Sequence, residues 1–303
     1  MSAPAPSTPP TGNGGATSVI HDLGYRGYDG PRRSNGAIAW SLFLSGLAHS
    51  YGIGRVGKAK FRPFALLGAY LIPAMVMIGV LSFGVMNELP TRLVDYAAQM
   101  SLLVSIFAAA QAPVLFSRDL QHRSIVLYLA RPLPTRLFAL MRYLSMTVAV
   151  WLFMLAPVLL LYFGGMLTGV DPASLHPQLA LSLLTTLLAS AAISALTGVV
   201  SAWTVRPGLA VVASIGVLIV GNGLVSIVQA LGSEVSPAIS QVAGVFTPYM
   251  LSSGVGYLID SNTAMLVPPT IGWVQALFVA LSVIGPVVGV LLIQSRFAKA
   301  VAR

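Results

Sequence analysis

A short glycine- and lysine-rich segment contains the residue types that could bind a phosphate group. Gly52, Gly57 and Lys58 fit the GxxxxGK pattern, and Gly52, Gly54 and Gly57 also fit GxGxxG. Both patterns place backbone N–H groups around phosphate and require a preceding strand and a following helix. Here an apolar segment precedes, a predicted membrane span follows, and Ala59 replaces the hydroxyl residue that would hold Mg²⁺. We therefore interpret the segment as a flexible basic elbow near lipid headgroups.

Other patterns that carry chemistry are missing from the sequence. It has no HExxH or GxSxG motif, no paired carboxylates and no cysteine. We therefore expect no catalytic site, cofactor or metal in this chain, and no enzyme activity of its own. The net charge of +9 would favour nucleic acid in a soluble protein, but no basic cluster here interleaves with aromatic residues. We expect no nucleic-acid partner.

The polar residues inside the predicted membrane spans are few and uncharged. They are limited to groups such as Gln99, Gln111, Asn222 and Gln229, while Asp95 lies at an outer end. Ion-driven transporters and channels typically place Asp, Glu, His or Arg within the membrane. If this protein moves a cargo, we expect the energy to come from another protein.

The most specific feature is the loop SRDLQHRSIVLYLARPLPTRLFALMRYLS, residues 117–145. Its basic start carries Arg118, Asp119, His122 and Arg123 at three- and four-residue spacing, an apolar run follows, and two prolines then turn the chain. This pattern predicts a short amphipathic helix between two spans, followed by a second helix. Its apolar face would pack on a partner or on the bundle; a plain solvated loop is the alternative.

This loop resembles the one that links the second and third spans of permease subunits in type-2 ATP-binding-cassette exporters. That family has the pattern G-(S/T/A)-(L/I)-x-x-L-x-(S/A)-R-P-(L/I), and Arg123 stands where its glycine often lies. The segment HDLGYRGYDGPRR also looks like the start of actinobacterial members, and the resemblance covers roughly residues 19–300. The matching loop residues are Ser124, Ile125, Leu129, Arg131, Pro132 and Leu133.

The resemblance implies a coupling helix in this loop that docks on a separate cytoplasmic ATPase, which would bind ATP and Mg²⁺. It also implies a second permease copy or paralogue, an N-terminal interfacial elbow helix, six spans and a short extracellular helical hairpin before the sixth. The docking residues would be Arg118, Asp119, His122, Arg123, Leu129, Arg131 and Pro132.

The elements that would position this loop follow from composition and hydropathy. With 56% hydrophobic and only 8% charged residues, the chain has too little polar surface for water, and it is predicted to be an all-α integral membrane protein. A span needs about twenty apolar residues. Six segments qualify, at 64–87, 95–116, 143–167, 178–203, 207–231 and 271–294.

Charge distribution predicts the orientation of these spans. With the N-terminus inside, sixteen of the seventeen Lys and Arg residues fall in cytoplasmic segments and only Arg92 falls outside. Basic residues favour the cytoplasmic side. We therefore expect a multi-pass protein of a plasma membrane with both termini cytoplasmic. The predominance of arginine over lysine hints at a bacterial source.

The N-terminal region is predicted to have two parts. Residues 1–36 are expected to be a disordered or irregular cytoplasmic segment, and 37–303 a single membrane permease domain. Within that domain, 37–62 is predicted to be the interfacial elbow, an apolar helix followed by basic residues that would face membrane lipid. A helix buried against the bundle is the alternative. The basic residues are Arg55, Lys58, Lys60 and Arg62.

Two further predictions concern the second half of the chain. Residues 244–267 contain Pro248, Asp260 and Asn262 and are interpreted as a short hairpin rather than a seventh span. Small residues at four-residue spacing predict close helix packing, either within the chain or at a subunit interface. They include Ser190, Ser194, Gly198, Gly285 and Gly289.

The functional hypothesis is a permease subunit that exports a hydrophobic or amphipathic substrate and is powered by a separate ATPase. The first alternative is a non-transporting membrane scaffold or sensor whose loop binds another partner. A gradient-driven secondary transporter or channel is the second alternative, and the uncharged spans disfavour it.

Overall fold

The computed structural model describes residues 34–54, 57–84, 86, 88–121, 134–204 and 206–301. Over these ranges all regular elements are helices, which confirms the all-α prediction. The predicted irregular segment 1–36 lies outside the described residues except for its last three. At that point the prediction is wrong, because the first helix already begins at Asn35 with Ser34 as its N-cap.

Twelve α-helices follow one another along the described residues. They are α1 (Asn35–Ser50), α2 (Lys58–Ser82), α3 (Leu93–Gln99), α4 (Ser101–Ala112), α5 (Arg118–Gln121), α6 (Thr135–Leu167), α7 (Pro172–Trp203), α8 (Pro207–Ile215), α9 (Gly221–Val235), α10 (Pro237–Ala243), α11 (Pro248–Ile259) and α12 (Gly272–Val301). Two π-helical turns, Pro113–Ser117 and Gly216–Val220, join α4 to α5 and α8 to α9.

Five helical stretches are long and apolar enough to cross a membrane, and two bent pairs raise the number to seven if each counts as one span. The five are Ala59–Ser82, Thr135–Leu167, Pro172–Trp203, Pro207–Gly232 and Gly272–Lys299. Each matches one of the six predicted spans within several residues. The remaining predicted span, 95–116, is the first bent pair.

That first bent pair turns by 63° between α3 and α4. Two hydrogen bonds hold α3 in place: Tyr96 Oη donates to the Tyr70 carbonyl at 2.6 Å, and the Leu93 amide donates to Gln178 Oε1 at 3.2 Å. The predicted span 95–116 therefore contains a bend, which lies where α3 is bonded to partners on α2 and α7.

The second bent pair, α10 with Gly244–Phe246 against α11, turns by 117°. Thr247 separates the two helices of this pair and is the N-cap of α11. Its hydroxyl accepts from the Met250 amide at 3.3 Å, and Pro248 follows as the first helical residue. This bent pair, from Pro237 to Ile259, has different bounds from the predicted hairpin at 244–267. Its second helix, α11, packs on α7 and α12.

The core of the bundle is built around α6 and α7. In their most apolar windows 61% and 56% of the residues are buried, against 17% for α2, 11% for 207–232 and 22% for α12. Phe153 of α6 stacks between the rings of Tyr70 and Phe107, with centroids 4.9 and 4.2 Å away. The bundle thus has two central helices, and the other long helices expose apolar faces.

Helix α1 packs along α6, which agrees with the alternative prediction of a helix buried against the bundle. Ser145 Oγ donates to the Phe43 carbonyl at 2.9 Å, and Tyr51 Oη donates to the Ala149 carbonyl at 2.8 Å. Its outer face still exposes Trp40 and Leu44. The predicted elbow 37–62 also has different bounds, because α1 ends at Ser50 and Lys58 already begins the first long helix.

Candidate functional site at the basic end

Several contacts identify the segments that meet at one end of the bundle. Ser117 Oγ donates to the Thr204 carbonyl at 2.9 Å, which joins the end of the turn after α4 to the end of α7. Arg296 Nε donates to the Ala202 carbonyl at 3.3 Å, and the rings of Phe138 and Phe297 lie 5.7 Å apart. These contacts bring the start of α6 and the end of α12 to the same place.

Basic and acidic side chains lie mostly at opposite ends of the bundle. The exposed or half-exposed basic residues of the described chain, apart from Arg92, lie at the end just defined, which we name the basic end: Lys60, Arg62, Arg118, Arg136, Arg206, Arg296 and Lys299. The carboxylates among the described side chains lie at the opposite, acidic end: Glu88, Asp95, Asp171, Glu234 and Asp260.

Arg92 lies at the acidic end and forms an ion pair with Asp260. The pair ties the start of α3 to the end of α11. Hydrogen bonds from Arg92 and from the Asn262 amide hold the pKa of Asp260 below its usual range. Nearby, the buried Asp95 accepts from the Ala264 amide at 2.9 Å. The acidic end is therefore cross-linked by polar contacts between α3 and the segment after α11.

The predicted coupling loop is described only at its two ends. Arg118 and Asp119 lie in α5, with the Arg118 side chain exposed. His122, Arg123, Leu129, Arg131 and Pro132 lie outside the described residues, as does the side chain of Asp119. Their predicted role in docking stays a prediction.

Both ends of this loop are anchored in the bundle. On one side, the buried Ser117 is bonded to the end of α7. On the other, Pro134 precedes α6, which contacts α1, α2, α3, α4, α7 and α12. A displacement of the loop would therefore act directly on one of the two central helices of the bundle.

Arg142 is a buried basic residue near the start of α6. The helix predicted after the proline turn begins at Thr135, and Arg142 lies within it with only 4% of its surface exposed. Its guanidinium carbon lies 5.3 Å from the Phe138 ring centroid, a cation–π contact.

The small-residue stripe joins α7 to α12 within the chain. A Cβ atom on Gly198 would lie 2.8 Å from Ile293 Cδ1, and one on Gly289 would lie 2.6 Å from Ala195 Cβ. Ser190 and Ser194 are fully buried on α7. Gly285 contacts no other helix of this chain, because a Cβ there would meet nothing within 4 Å, so only the alternative of a subunit interface stays open for it as a prediction.

The phosphate-motif segment forms a turn between two helices. Gly52 and Gly54 have φ angles of 71° and 82°, and a Cβ on Gly52 would lie 2.6 Å from the Ala59 carbonyl oxygen. A helix, not a strand, precedes it. Of the predicted basic residues, Lys60 and Arg62 are exposed on α2; Arg55 and the side chain of Lys58 lie outside the described residues.

Comparison with known proteins gives no relative from which a function could be transferred. No protein-family model matches the chain, and no curated protein matches it. Among the described residues, no group of three or more His, Cys, Asp or Glu side chains could hold a metal ion.

Proposed function

We propose that this protein is the membrane-spanning permease subunit of an ATP-binding-cassette transporter, powered by a separate ATPase subunit. The observation that carries the proposal is the anchoring of the 118–133 loop. One of its ends is bonded to α7, and the other enters α6, the two most buried long helices. A partner that pushes on this loop would move the centre of the bundle.

The mechanism is a coupling between two conformations. The ATPase would bind the loop differently in its ATP-bound and released states, and this difference in contact would shift the bundle between two arrangements. Proteins are densely packed, so a displacement of α6 passes to its neighbours α1, α2 and α7. The chain itself would hydrolyse nothing; ATP and Mg²⁺ would bind in the partner.

The surroundings of the bundle belong to the same proposal. We place the basic end in the cytoplasm of a bacterial cell, where Lys and Arg favour the inner side of the plasma membrane. The exposed apolar faces of α2, 207–232 and α12 would contact lipid and a second permease copy or paralogue. Export of a hydrophobic or amphipathic substrate follows from the family resemblance alone.

Co-purification tests this proposal. The detergent-solubilised protein, co-expressed with the ATPase encoded beside its own gene, is expected to retain that ATPase through affinity purification. Arg131→Glu reverses one charge of the loop and is expected to abolish stimulation of ATP hydrolysis. Arg206→Glu, the same charge reversal at an exposed basic residue of the same end but outside the loop, is the matched control.

Three results would count against the proposal. If the ATPase never co-purifies, or no ATPase gene adjoins, a scaffold or sensor role becomes the better interpretation. If liposomes containing this chain alone show gradient-driven flux, the chain is a secondary transporter. Unchanged stimulation with Arg131→Glu would remove the loop from the mechanism.

A further inference from the structure

A cavity of about 650 Å³ lies at the basic end, between the end of α1, the start of α2 and the turn that follows α4. Its lining is part polar and part apolar. The polar side chains that line it are those of His49, Arg62, Gln111 and Arg118, which come from four separate elements. The fold therefore assembles these groups, since they are distant in the sequence.

The cavity is positively charged. Arg62 and Arg118 both line it, and the ion pair found among the described residues lies at the other end of the bundle, between Arg92 and Asp260. Neither cavity arginine is thus neutralised by a carboxylate in the described part of the chain. An arginine presents several N–H donors in a planar fork and matches phosphate geometry well.

Gln111 is the buried polar group that faces this space. It is 7% exposed and lines the cavity, and its amide has no hydrogen-bond partner among the residues of the described ranges. The amide is not among the fully enclosed polar atoms that lack a partner, so it is open to the cavity. A ligand with acceptor oxygens would accept from its N–H₂ group.

The start of α2 adds a further attraction for negative charge. No side chain caps this 25-residue helix at Gly57, and Ala59 of its first turn lines the cavity. Helix N-termini carry a partial positive charge. Gly52, which has a positive φ, lets the turn after α1 lie against the first turn of α2, because a side chain at this position would collide with the Ala59 carbonyl.

We infer that this cavity binds a phosphate-bearing anion, either the headgroup of an acidic lipid or free inorganic phosphate. Arg62, Arg118 and the Gln111 amide would donate to its oxygens. The volume exceeds that of a bare phosphate ion and leaves room for a headgroup. Phe61, next to Arg62 in the first turn of α2, is 75% exposed and would lie against the acyl chains of such a lipid.

An occupied site would join α2 to α5. Arg118 is the first residue of α5 and leads into the 118–133 loop, whereas Arg62 belongs to the first long helix. One anion bonded to both would hold the start of the loop against α2. This inference does not rest on the proposed transport function, because the site contains only residues of this chain.

Binding to the purified full-length protein tests the inference in two arms. In detergent, the delipidated protein is titrated with inorganic phosphate by calorimetry. In nanodiscs, native mass spectrometry counts retained phosphatidic acid against the neutral lipid diacylglycerol. Binding in the first arm identifies a free-phosphate site, and retention in the second identifies a headgroup site; both sources share the same residues.

The variants are Arg62→Gln, Arg118→Gln and Gln111→Leu, with Arg206→Gln as the control of equal charge change at the same end. Each cavity variant is expected to weaken binding about tenfold, because each removes one hydrogen bond to the anion. The control is expected to bind as tightly as the unaltered protein. Gln111→Leu keeps the charge and the volume, so it remains informative if an arginine variant fails to fold.

Two outcomes would overturn the inference. An equal loss in the Arg206→Gln control would show a diffuse attraction to the basic end rather than a site. Unchanged binding in all three cavity variants, or no binding in either arm, would show that the cavity does not take phosphate. Neither outcome bears on the ATPase co-purification, so the two proposals fail separately.

Discussion

Gly289 is expected to determine how closely α7 and α12 approach, and Gly289→Ala tests this directly. A Cβ at this position would lie 2.6 Å from Ala195 Cβ and 3.2 Å from Ala195 Cα. Carbon atoms in contact prefer separations of about 3.5–4.0 Å, so the helices must separate by about 1 Å. Both partners are helix-borne, and no flexible side chain can move aside.

The expected cost of this overpacking is about 1–3 kcal/mol of unfolding free energy. For a chain of this size that corresponds to a lower melting temperature by roughly 2–5 °C. Gly285→Ala is the matched control on the same helix. A Cβ there meets nothing within 4 Å, so the higher helix propensity of alanine should stabilise it by up to about 1 kcal/mol.

The measurement is thermal unfolding of the detergent-solubilised variants, followed by tryptophan fluorescence. Ala195→Gly in the Gly289→Ala background removes the colliding methyl group and is expected to restore part of the loss, since the two sites are in contact. If Gly289→Ala and Gly285→Ala melt at the same temperature, the proposed close packing at Gly289 is refuted.

Three further predictions concern other contacts. The pKa of Asp260 is lower in the folded than in the unfolded protein, so its pair with Arg92 should add about 0.5 kcal/mol to the free energy of unfolding at neutral pH. This contribution should be lost as the pH falls below about 4. Asp260→Asn should therefore flatten the acidic part of a profile of melting temperature against pH. Tyr96→Phe removes the buried 2.6 Å hydrogen bond to Tyr70 and should cost about 1 kcal/mol in the same assay; an unchanged melting temperature would contradict the bond. Gly52→Ala should destabilise the α1–α2 turn by about 1–3 kcal/mol, since φ is 71° and the Ala59 carbonyl blocks a side chain; Gly54→Ala shares the positive φ without the collision and should cost less.

Local sequence features predicted most of the long helices. The runs that became α2, α7 and α12 are apolar over more than twenty residues, and hydropathy is a property of each run by itself. Their ends were less predictable. Lys58 begins α2 six residues before the predicted span 64–87, because polar residues can continue a helix beyond its apolar run.

The candidate loop, too, was predictable from the sequence only in part. Its charged start and its proline turn are visible as residue types, and the resemblance rests on them. Where its two ends attach was not visible. The bond from Ser117 to the end of α7 joins residues 87 positions apart, and no local pattern reports such a contact.

The sequence by itself determined that the chain is helical and apolar, with its basic residues gathered at one end of the spans. Only the tertiary structure decided that Gly289 meets another helix while Gly285 does not, although both belong to one stripe. It alone placed Arg62, Gln111 and Arg118 around one cavity. Composition and periodicity act along the chain, whereas crossing angles, bends and cavities arise from helices that are distant in the sequence.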